Sequence, residues 1–433
     1  MTAWYAQGES EIAYKPSEES TALQARRFQS LVRHAWERVP YYRQWMKDAG
    51  ARPEDLRSAD DLRRMPIVEK AALALEPERF AAQGYGERDG LTLWTSGTSG
   101  LRQWFRYDAD ALFQVLAAGR RQRIALAHLV GKEAGYREAV VKRPGNPGVH
   151  LRQFWEERMW IPRGIELDRR NLDAAQKFED LLAGINEFRP KVVRGIGSHL
   201  GAFFRWVGET GRPLIKPRAV AYDADLMPAG DRCFIERELG IPVVSTYEAV
   251  EALRIGFQCE VRSGYHISTD QVILRVVDDA GRDVAPGERG SVVLTNLVNR
   301  AMAVLNYRLG DMVTLAAGRC ACGRTFPLIQ DIDGRLEDLI ARPAGQSLHS
   351  ISVLPELQRV AGVRQVQIVQ EEIDRFLLRV VWAQGSAPRP AELARRMAEV
   401  VGAPVRVTVE AVDRIAQEPS GKVRSMIREV GVA

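Results

Sequence analysis

The sequence predicts an α/β fold: a large, multi-layer N-terminal domain with parallel or mixed sheets and a β-rich portion, then a small α+β C-terminal domain. From about Leu91, short apolar runs alternate with helical patterns, which is typical of a parallel sheet covered by helices. After about Gln258, strand-like runs follow one another through Gly/Pro-rich connections, which favours antiparallel structure. A smaller strand and helix pattern begins past Arg335, so we predict domains at 1–336 and 337–433.

Each element follows from its local pattern. Residues 23–50 have helical apolar spacing, which Pro40 interrupts. Four apolar runs, LTLWT, KVVRGIG, RAVAYDA and IPVVSTYEA, predict strands of the parallel sheet, and AAQKFEDLLAGINEF and GSHLGAFFRWVGETG predict helices. Farther on, QVILRVV and GSVVLTNL predict paired strands, and 363–383 predict a hairpin. PAELARRMAEVVGA then predicts a helix and PVRVTVEAV a further strand.

The bulk composition is that of a soluble globular protein, since 45% of the 433 residues are hydrophobic and 27% are charged. The net charge of +5, from 61 basic and 56 acidic residues, is mild, and no Lys/Arg run indicates a nucleic-acid partner. The N-terminus lacks a signal-peptide pattern, and no stretch approaches the ~18–20 apolar residues of a membrane span. Because four cysteines in such a chain do not predict a disulfide framework, we expect a cytoplasmic protein.

A loop rich in glycine and hydroxyl groups, TSGTSG at 95–100, follows the apolar run LTLW. Such a loop can direct backbone N–H groups and hydroxyls at one anion, because glycine lets the backbone approach closely. It does not match the nucleotide-binding pattern GxxxxGK[ST], and Leu101 prevents a GxSxG match around Ser99. Alone, the loop is equally consistent with a phosphate cradle and with an ordinary turn.

Three further motifs are ordinary when each is taken singly. Asp311 in NYRLGDMV follows a strand-like run, as turn residues commonly do, and GRLEDLI at 334–340 is a charged turn. Lys422 lies behind a Pro-Ser-Gly turn in QEPSGKVR, where a solvated surface lysine is the usual interpretation.

Taken in order, TSGTSG, YEAVE, YRLGD, GRLEDLI and SGKVR resemble the motifs of the AMP-forming adenylating enzymes. That superfamily includes acyl-CoA synthetases, luciferases and peptide-synthetase adenylation domains. The chain is most similar to the phenylacetate–coenzyme A ligase branch, through RMPIVEK, CEVRSGYH, TNLVNRAMAVLNYRLGD and CACGRTFPLIQDIDGR. The resemblance covers nearly the whole chain.

The resemblance implies an ATP site. A mobile loop over the β- and γ-phosphates is implied for Thr95, Ser96, Gly97, Thr98, Ser99 and Gly100. Tyr247 is implied near adenine, Glu251 as the ligand of the Mg²⁺ that bridges the phosphates, and Asp311 as an acceptor for the ribose hydroxyls. Two departures from the family pattern are Leu101-Arg102, where relatives often have Gly-Lys-Pro, and Glu248 in place of glycine.

Further roles are implied around this site. Arg335 is implied close to ribose or phosphate, and Asp223, Ala224 and Asp225 stand where the family has a strand end that contacts adenine. Ser198 and His199 are implied on one wall of the acyl pocket, although a histidine near a helix start is more often a packing partner.

Two positions in the C-terminal part are implied to control the reaction. Lys422 matches the lysine that reaches the substrate carboxylate and the α-phosphate, where an ammonium stabilises developing charge. Asp338 matches the hinge about which the small domain rotates.

The cysteines suggest a metal site. Cys259 and His266 precede the pair Cys320 and Cys322, and three thiolates with one imidazole form a closed structural zinc set if the fold brings the segments together. The alternative is that the cysteines are reduced and simply packed. The resemblance favours zinc, and Cys233, in a helical pattern, is interpreted as a packed thiol.

The resemblance implies an acid–CoA ligase that uses ATP, Mg²⁺ and coenzyme A on an aromatic or arylacetic acid. Lys422, Glu251 and Arg335 are its predicted catalytic residues, and a homodimer is expected because family members are often dimers. The main alternative transfers the acyl group to an amine. An esterase with Ser99 as nucleophile and a non-catalytic binding protein are weaker alternatives, since the GxSxG pattern is absent and Glu251, Asp311 and Lys422 are intact.

Overall fold

The computed structural model describes residues 11–95, 103–158, 168–335, 338–342, 348–383, 385–416, 418 and 422–429 of the chain. Among these residues, no helix has the length and the apolar character that crossing a bilayer requires.

Helices α1 (Ser17–Arg38) and α2 (Pro40–Asp48) lie near the N-terminus. The buried residues of α1 recur every three or four positions from Phe28 to Ala35, so one face of the helix packs into the core. Pro40 has no N–H with which to continue α1, but it fits the first turn of α2. The helix therefore breaks where the sequence predicts.

Short elements connect these helices to the first strands. They are the 3-10 turns Pro53–Asp55, Ala59–Arg64 and Glu87–Asp89, helices α3 (Lys70–Leu75) and α4 (Pro77–Phe80), and strands β1 (Gly90–Trp94) and β2 (Trp104–Asp108). Strands β1 and β2 pair antiparallel in a separate sheet, so the prediction that LTLWT joins the parallel sheet is wrong. The connection at 95–103 is shorter than the crossover of roughly a dozen residues that a parallel pair needs.

One large sheet organises the rest of the N-terminal region. It has eleven strands in the order β10-β11-β12-β13-β9-β8-β7-β6-β5-β3-β4. The strands are β3 (Arg137–Val141), β4 (Asp168–Leu172), β5 (Val192–Ile196), β6 (Ala219–Asp223), β7 (Val243–Tyr247), β8 (Gly256–Phe257), β9 (Tyr265–Ile267), β10 (Val272–Val277), β11 (Arg289–Asn296), β12 (Tyr307–Leu315) and β13 (Leu328–Arg335). Strands β3 to β7 are parallel, and every pairing beyond β7 is antiparallel. The parallel and antiparallel portions predicted from sequence are therefore halves of one sheet.

Helices cover both faces of the parallel half. They are α5 (Ala109–Ala118), α6 (Arg120–Val130), α7 (Pro147–Arg158), α8 (Phe178–Phe188), α9 (Gly197–Thr210) and α10 (Ala229–Arg237). Successive strand residues point to opposite faces, so Val192 packs with Leu126 of α6, whereas Val193 packs with α8, α9 and α10. The two helix layers leave the carboxyl ends of the parallel strands at one edge of the sheet.

The C-terminal region has its own sheet and core. Its elements are β14 (Leu339–Ile340), β15 (Leu348–His349), α11 (Ser350–Gln358), β16 (Val363–Glu372), β17 (Arg375–Trp382), α12 (Pro390–Val401), β18 (Arg406–Ala411) and β19 (Met426–Arg428). The four-stranded sheet, ordered β18-β17-β16-β19, buries Ile368 and Phe376 against Leu393 and Met397 of α12. The predicted hairpin, helix and strand are all confirmed, as is the fold class. The boundary between 336 and 337 lies outside the described residues and stays a prediction.

Candidate active site

The ends of β5 and β6 are joined by side-chain hydrogen bonds at the carboxyl edge of the sheet. Helix α9 begins directly after β5, and Ser198 in its first turn donates its backbone N–H and its hydroxyl to the two oxygens of Asp225, at 2.9 and 2.5 Å. Burial raises the pKa of Asp225 to about 6, although Ser198 and Lys422 act in the opposite direction. This edge is where open α/β sheets bind ligands.

A tight turn after β6 directs two carboxylates to different partners. The N–H of Asp225 donates to the carbonyl of Asp223 at 2.9 Å across Ala224, whose φ of 73° is a strained value for a residue with a Cβ. The side chain of Asp223 pairs with Lys142 at 2.7 Å, and the two side chains are only 6% and 10% exposed. Breaking such a buried pair costs about 3–5 kcal/mol, so Lys142, directly after β3, holds the turn that follows β6.

Gly197 permits this close packing, and we expect Gly197→Ala to disturb it. An added Cβ would lie 2.6 Å from the carbonyl oxygen of Asp225 and 2.7 Å from the amide nitrogen of Met227. Overpacking of this kind costs roughly 1–3 kcal/mol, so the midpoint of thermal unfolding should fall by a few degrees. Gly230→Ala is the control, because its Cβ would have only an arginine tip at 3.8 Å. An unchanged midpoint for Gly197→Ala would contradict the packing.

Tyr247, Asp311 and Arg335 form a second group. The Tyr247 hydroxyl donates to Asp311 Oδ2 at 2.6 Å, and Arg335 Nε lies 3.6 Å from Asp311 Oδ1. Asp311 and Arg335 are directly opposite in the β12–β13 pairing, and Tyr247 ends β7. Burial, reinforced by Asp311, raises the pKa of Tyr247 well above its ordinary value, so the phenol stays a donor. The sheet thus brings together residues that are far apart in sequence.

Glu251 is a buried carboxylate beside this group. Burial raises its pKa and Asp311 adds to the effect, while the positive charges of Lys70 and Arg335 oppose it. Glu248, which replaces a glycine of the family pattern, pairs with Arg254 at 2.7 Å. The bulky acid is therefore neutralised locally, and Glu251 faces the cations of the site.

The loop motif at 95–100 is described only at its base. The N–H of Thr95 donates to the carbonyl of Gln103 at 2.8 Å, and the N–H of Gln103 donates to Thr95 Oγ1 at 3.0 Å. The amide of Gln103 donates to the carbonyl of Lys70 at 2.6 Å and accepts from the Tyr307 hydroxyl at 2.9 Å. The base is therefore tied to α3 and β12. The predicted binding residues Ser96, Gly97, Thr98, Ser99 and Gly100 lie outside the described residues.

Lys422 of the C-terminal region reaches this edge of the large sheet. Burial and the charge of Arg335 lower its pKa, whereas Asp225, Glu418 and Asp311 act in the opposite direction. The next residue, Val423, donates its N–H to Ser198 Oγ at 3.4 Å. One cation from the C-terminal region thus lies within the electrostatic reach of Asp225 and Asp311, which belong to the two side-chain groups just described.

Two other predicted residues have distinct surroundings. Asp338 Oδ2 accepts the N–H of Arg335 at 3.4 Å, which places it at the end of β13. His199 is buried against Phe178, with ring centroids 5.5 Å apart, and burial lowers its pKa to about 4. It is therefore neutral near pH 7 and packs between α8 and α9; its implied place in the acyl pocket stays a prediction.

Cys259, His266, Cys320 and Cys322 converge as a metal-ligand set. All four ligand atoms lie within 4.8 Å of one another, with 3.6 Å between the sulfurs of Cys259 and Cys320 and 3.2 Å between Cys322 Sγ and His266 Nε2. The pairing of β9 with β13 brings the two sequence segments together. Tetrahedral zinc, with bonds of about 2.3 Å to sulfur and about 2.0 Å to nitrogen, spaces its ligands by about 3.5–3.8 Å. The donor set fits zinc, and His266 Nδ1 lies 3.4 Å from the Phe326 carbonyl, as an orienting partner would.

The interpretation of Cys233 as a packed thiol is wrong, because its side chain is exposed. The buried residues of α10 are Asp231 and Ile235, two positions before and after it. Two residues turn a helix by about 200°, so Cys233 lies on the opposite, solvent-facing side.

Sequence reasoning missed several charged residues in the site and at the far end of α9. Lys70 and Lys142 are cations near Glu251 and Asp223, and Glu209 of α9 pairs with Arg364 of β16 at 2.9 Å. Lys70 belongs to the RMPIVEK segment, which carried part of the family resemblance but no role. The others have no spacing signal, because each pair joins residues distant in sequence.

The chain is similar to several known proteins. Residues 340–429 match the family model described as the CapK C-terminal domain. A phenylacetate-coenzyme A ligase of Thermus thermophilus is 28% identical over 351 residues, which cover 76% of this chain and 73% of the relative. An amide bond synthetase, McbA from Marinactinospora thermotolerans, is 18% identical, with a TM-score of 0.57 over 79% of this chain and 69% of that chain.

One solved protein is similar over nearly the whole chain. A 2-hydroxyisobutyryl-CoA ligase in the postadenylation state, in complex with R3-HIB-AMP, has a TM-score of 0.76 at 20% identity, covering 97% of this chain and 92% of that chain. In the thioesterification state, with 2-HIB-AMP and CoA, the same ligase has a TM-score of 0.60 at 21% identity and the same coverage.

The fold is that of the AMP-forming adenylating enzymes, and the curated relatives are acid–CoA ligases of that class. The ordered motifs and these relatives support an AMP-forming acid–CoA ligase, and the chain is similar to the phenylacetate–coenzyme A ligase-like branch. The roles of its individual residues are taken up below as proposals.

Proposed function

We propose that this chain activates a carboxylic acid with ATP to an acyl-adenylate and then forms a thioester with coenzyme A. The observation that carries the proposal is the convergence of Lys422 with Asp225, Asp311 and Arg335 across the two regions. In the first step a carboxylate oxygen of the acid bonds to the α-phosphorus, and pyrophosphate leaves. Lys422 stabilises the negative charge that develops on the oxygens of the α-phosphate and on the attacking carboxylate. The carboxylates of Asp225 and Asp311 hold its ammonium in place.

Tyr247, Asp311 and Arg335 hold the nucleotide in this proposal. Tyr247 packs beside adenine, Asp311 accepts from the ribose hydroxyls, and the guanidinium of Arg335 lies near ribose or phosphate. Their mutual contacts fix the three side chains before ATP arrives. The segment of Asp223, Ala224 and Asp225 forms the neighbouring wall near adenine.

We expect Asp311→Ala to raise the KM for ATP about tenfold or more, because it removes an acceptor and releases Tyr247 and Arg335. The measurement is acid-dependent ATP–pyrophosphate exchange as a function of ATP concentration. Asp331→Ala is the control, since Asp331 is an exposed carboxylate on the adjacent strand β13. An unaltered KM for Asp311→Ala would exclude the ribose role.

Glu251 holds the divalent cation in this proposal. Mg²⁺ bound there would neutralise the β- and γ-phosphates of the leaving pyrophosphate. Burial raises the pKa of Glu251, which favours the protonated carboxyl group. A bound cation would oppose this effect and favour the ionised form. Lys70 adds a second positive charge, next to the base of the loop that is implied to cover the phosphates.

We propose that the C-terminal region, 337–433, moves as a domain about Asp338 between the two half-reactions. The higher TM-score to the postadenylation state of the solved ligase, 0.76 against 0.60 for its thioesterification state, supports an adenylation-type arrangement of this structure. Rotation would withdraw Lys422 and leave the residues of the large sheet in place.

The acid is proposed to be aromatic or arylacetic, as the names of the curated relatives suggest. The carboxyl edge also holds two buried polar pairs, Lys142–Asp223 and Ser198–Asp225. A screen should therefore include hydroxylated and amino-substituted aromatic acids beside phenylacetate.

The test is a screen for acid-dependent pyrophosphate release, with and without coenzyme A. We expect thioester to form only with coenzyme A. Absence of pyrophosphate release with every acid would overturn the proposal. Release followed by acyl transfer to an amine, but not to coenzyme A, would instead favour the amide ligase, the activity named for one structural neighbour.

We further propose that Cys259, His266, Cys320 and Cys322 hold a structural zinc ion. Four protein ligands leave no open position for chemistry, so the ion would act only on the fold. A cytoplasmic location and a homodimer stay predictions from the sequence.

A further inference from the structure

Helix α9 contacts the C-terminal region at both of its ends. In its first turn, Ser198 Oγ accepts the N–H of Val423, the residue next to Lys422, at 3.4 Å. In its last turn, Glu209 pairs with Arg364, the second residue of β16, at 2.9 Å. At 1.5 Å per residue, Ser198 and Glu209 are about 16 Å apart along the helix axis.

We propose that Ser198 and Glu209 are positioning residues that dock the C-terminal region on α9 in the arrangement that adenylates the acid. The inference rests on the proposed function, since the docked arrangement affects the chemistry only if Lys422 acts in the first half-reaction. One contact would let the C-terminal region pivot in any direction, whereas two contacts at opposite ends of a helix leave only rotation about the line that joins them, and Lys422 lies next to one end of that line. Lys422 thereby arrives at the reacting atoms in one geometry.

The Ser198 contact is preorganised by its own surroundings. A hydroxyl has one proton and two lone pairs, and the proton of Ser198 is committed to Asp225 Oδ2 at 2.5 Å. The lone pairs are therefore left for the N–H of Val423. The backbone N–H of Ser198 holds the other oxygen of Asp225, so the acceptor keeps its direction.

The Glu209 contact is a partly exposed ion pair with Arg364. The side chains of Arg364 and Glu209 are 22% and 35% exposed, so solvent screens their attraction only in part. Arg364 also acts on Asp231 of α10, whose pKa is raised by burial and lowered by Arg205 and then by Arg364. Arg364 thus meets two acids of the N-terminal region.

Both contacts must break when the C-terminal region rotates for the second half-reaction. Their loss should therefore slow acyl-adenylate formation and leave thioester formation from a pre-made adenylate unchanged. Ser198 and Glu209 would act through the position of Lys422, so the rate at saturating ATP should fall while the KM for ATP stays the same.

The experiment compares Ser198→Ala, Ser198→Thr, Glu209→Gln, Arg364→Gln and the Glu209→Gln/Arg364→Gln double variant of the full chain. The probes are phenylacetate and its adenylate, or the acid with the highest rate in the screen above. We expect Ser198→Ala and Glu209→Gln each to lower ATP–pyrophosphate exchange about threefold to tenfold, and Ser198→Thr to retain it. The double variant should lose no more than either single variant of the pair, because both remove one contact.

Arg359→Gln is the matched control, since Arg359 pairs with Glu356 entirely within the C-terminal region. It should change neither half-reaction. Unchanged exchange in both Ser198→Ala and Glu209→Gln would overturn the inference. Equal losses in both half-reactions, or a change confined to the KM for the acid, would also overturn it. If wild-type protein shows no acid-dependent exchange with any acid, the proposed function fails and the inference fails with it.

Discussion

Replacing Lys422 by alanine should lower acid-dependent ATP–pyrophosphate exchange by roughly 10²–10³-fold or more, because its ammonium is proposed to stabilise the charge that develops at the attacked phosphorus. The same variant should still convert a pre-made acyl-adenylate and coenzyme A to the thioester. The lysine lies near Asp225, Asp311 and Arg335, so alanine removes the positive charge that faces the two carboxylates.

The control for this prediction is Lys47→Ala, which removes an exposed lysine of α2 and should leave both half-reactions unchanged. Thermal unfolding of each variant shows whether the fold is intact. Undiminished exchange in Lys422→Ala would remove Lys422 from the mechanism. Equal loss in both half-reactions would indicate a structural role.

Replacing Cys320 by serine should lower the zinc content from about one ion per chain to near zero. The cluster joins the connection after β8 to the connection after β12. Because a structural zinc site contributes directly to folding free energy, the midpoint of thermal unfolding should fall by roughly 5–10 °C. Metal analysis after chelator washing and thermal unfolding are the two measurements.

Cys233→Ser is the matched control, because Cys233 is an exposed cysteine far from the set in sequence. It should change neither the zinc content nor the unfolding midpoint. Metal-free wild-type protein with a normal midpoint would contradict the zinc site. Wild-type zinc content in Cys320→Ser would remove that cysteine from the ligand set.

Much of the fold is predictable because apolar runs and helical patterns are local signals. The strands that begin at Val192, Ala219 and Val243 each come from a short, mainly apolar run between helices, and all three are found in the parallel sheet. The LTLWT run has the same local pattern, but its short connection to β2 decides its pairing. The antiparallel pairing of β1 with β2 therefore depends on the length of the connection between the two strands and not on the LTLWT run alone.

Candidate site residues can be chosen from the sequence where a motif carries them. Tyr247, Asp311 and Arg335 were identified from resemblance, and the sheet brings them into contact. Lys142–Asp223 and Glu209–Arg364 could not be identified in this way, since each is a contact between residues at least 81 positions apart (223 − 142 = 81). Arginine is frequent in this chain, so the position of an arginine in the sequence does not reveal which one is paired.

The placement of the site on two regions also sets an order of events. Tyr247, Asp311 and Arg335 all belong to the large sheet, whereas Lys422 belongs to the C-terminal region. Rotation of that region would carry Lys422 away while the nucleotide part of the intermediate stays bound. In the proposed mechanism, pyrophosphate departs before coenzyme A enters, and AMP leaves only after the acyl group is transferred to coenzyme A. Steady-state rates should therefore give parallel double-reciprocal lines for ATP against coenzyme A, the pattern of a ping-pong enzyme.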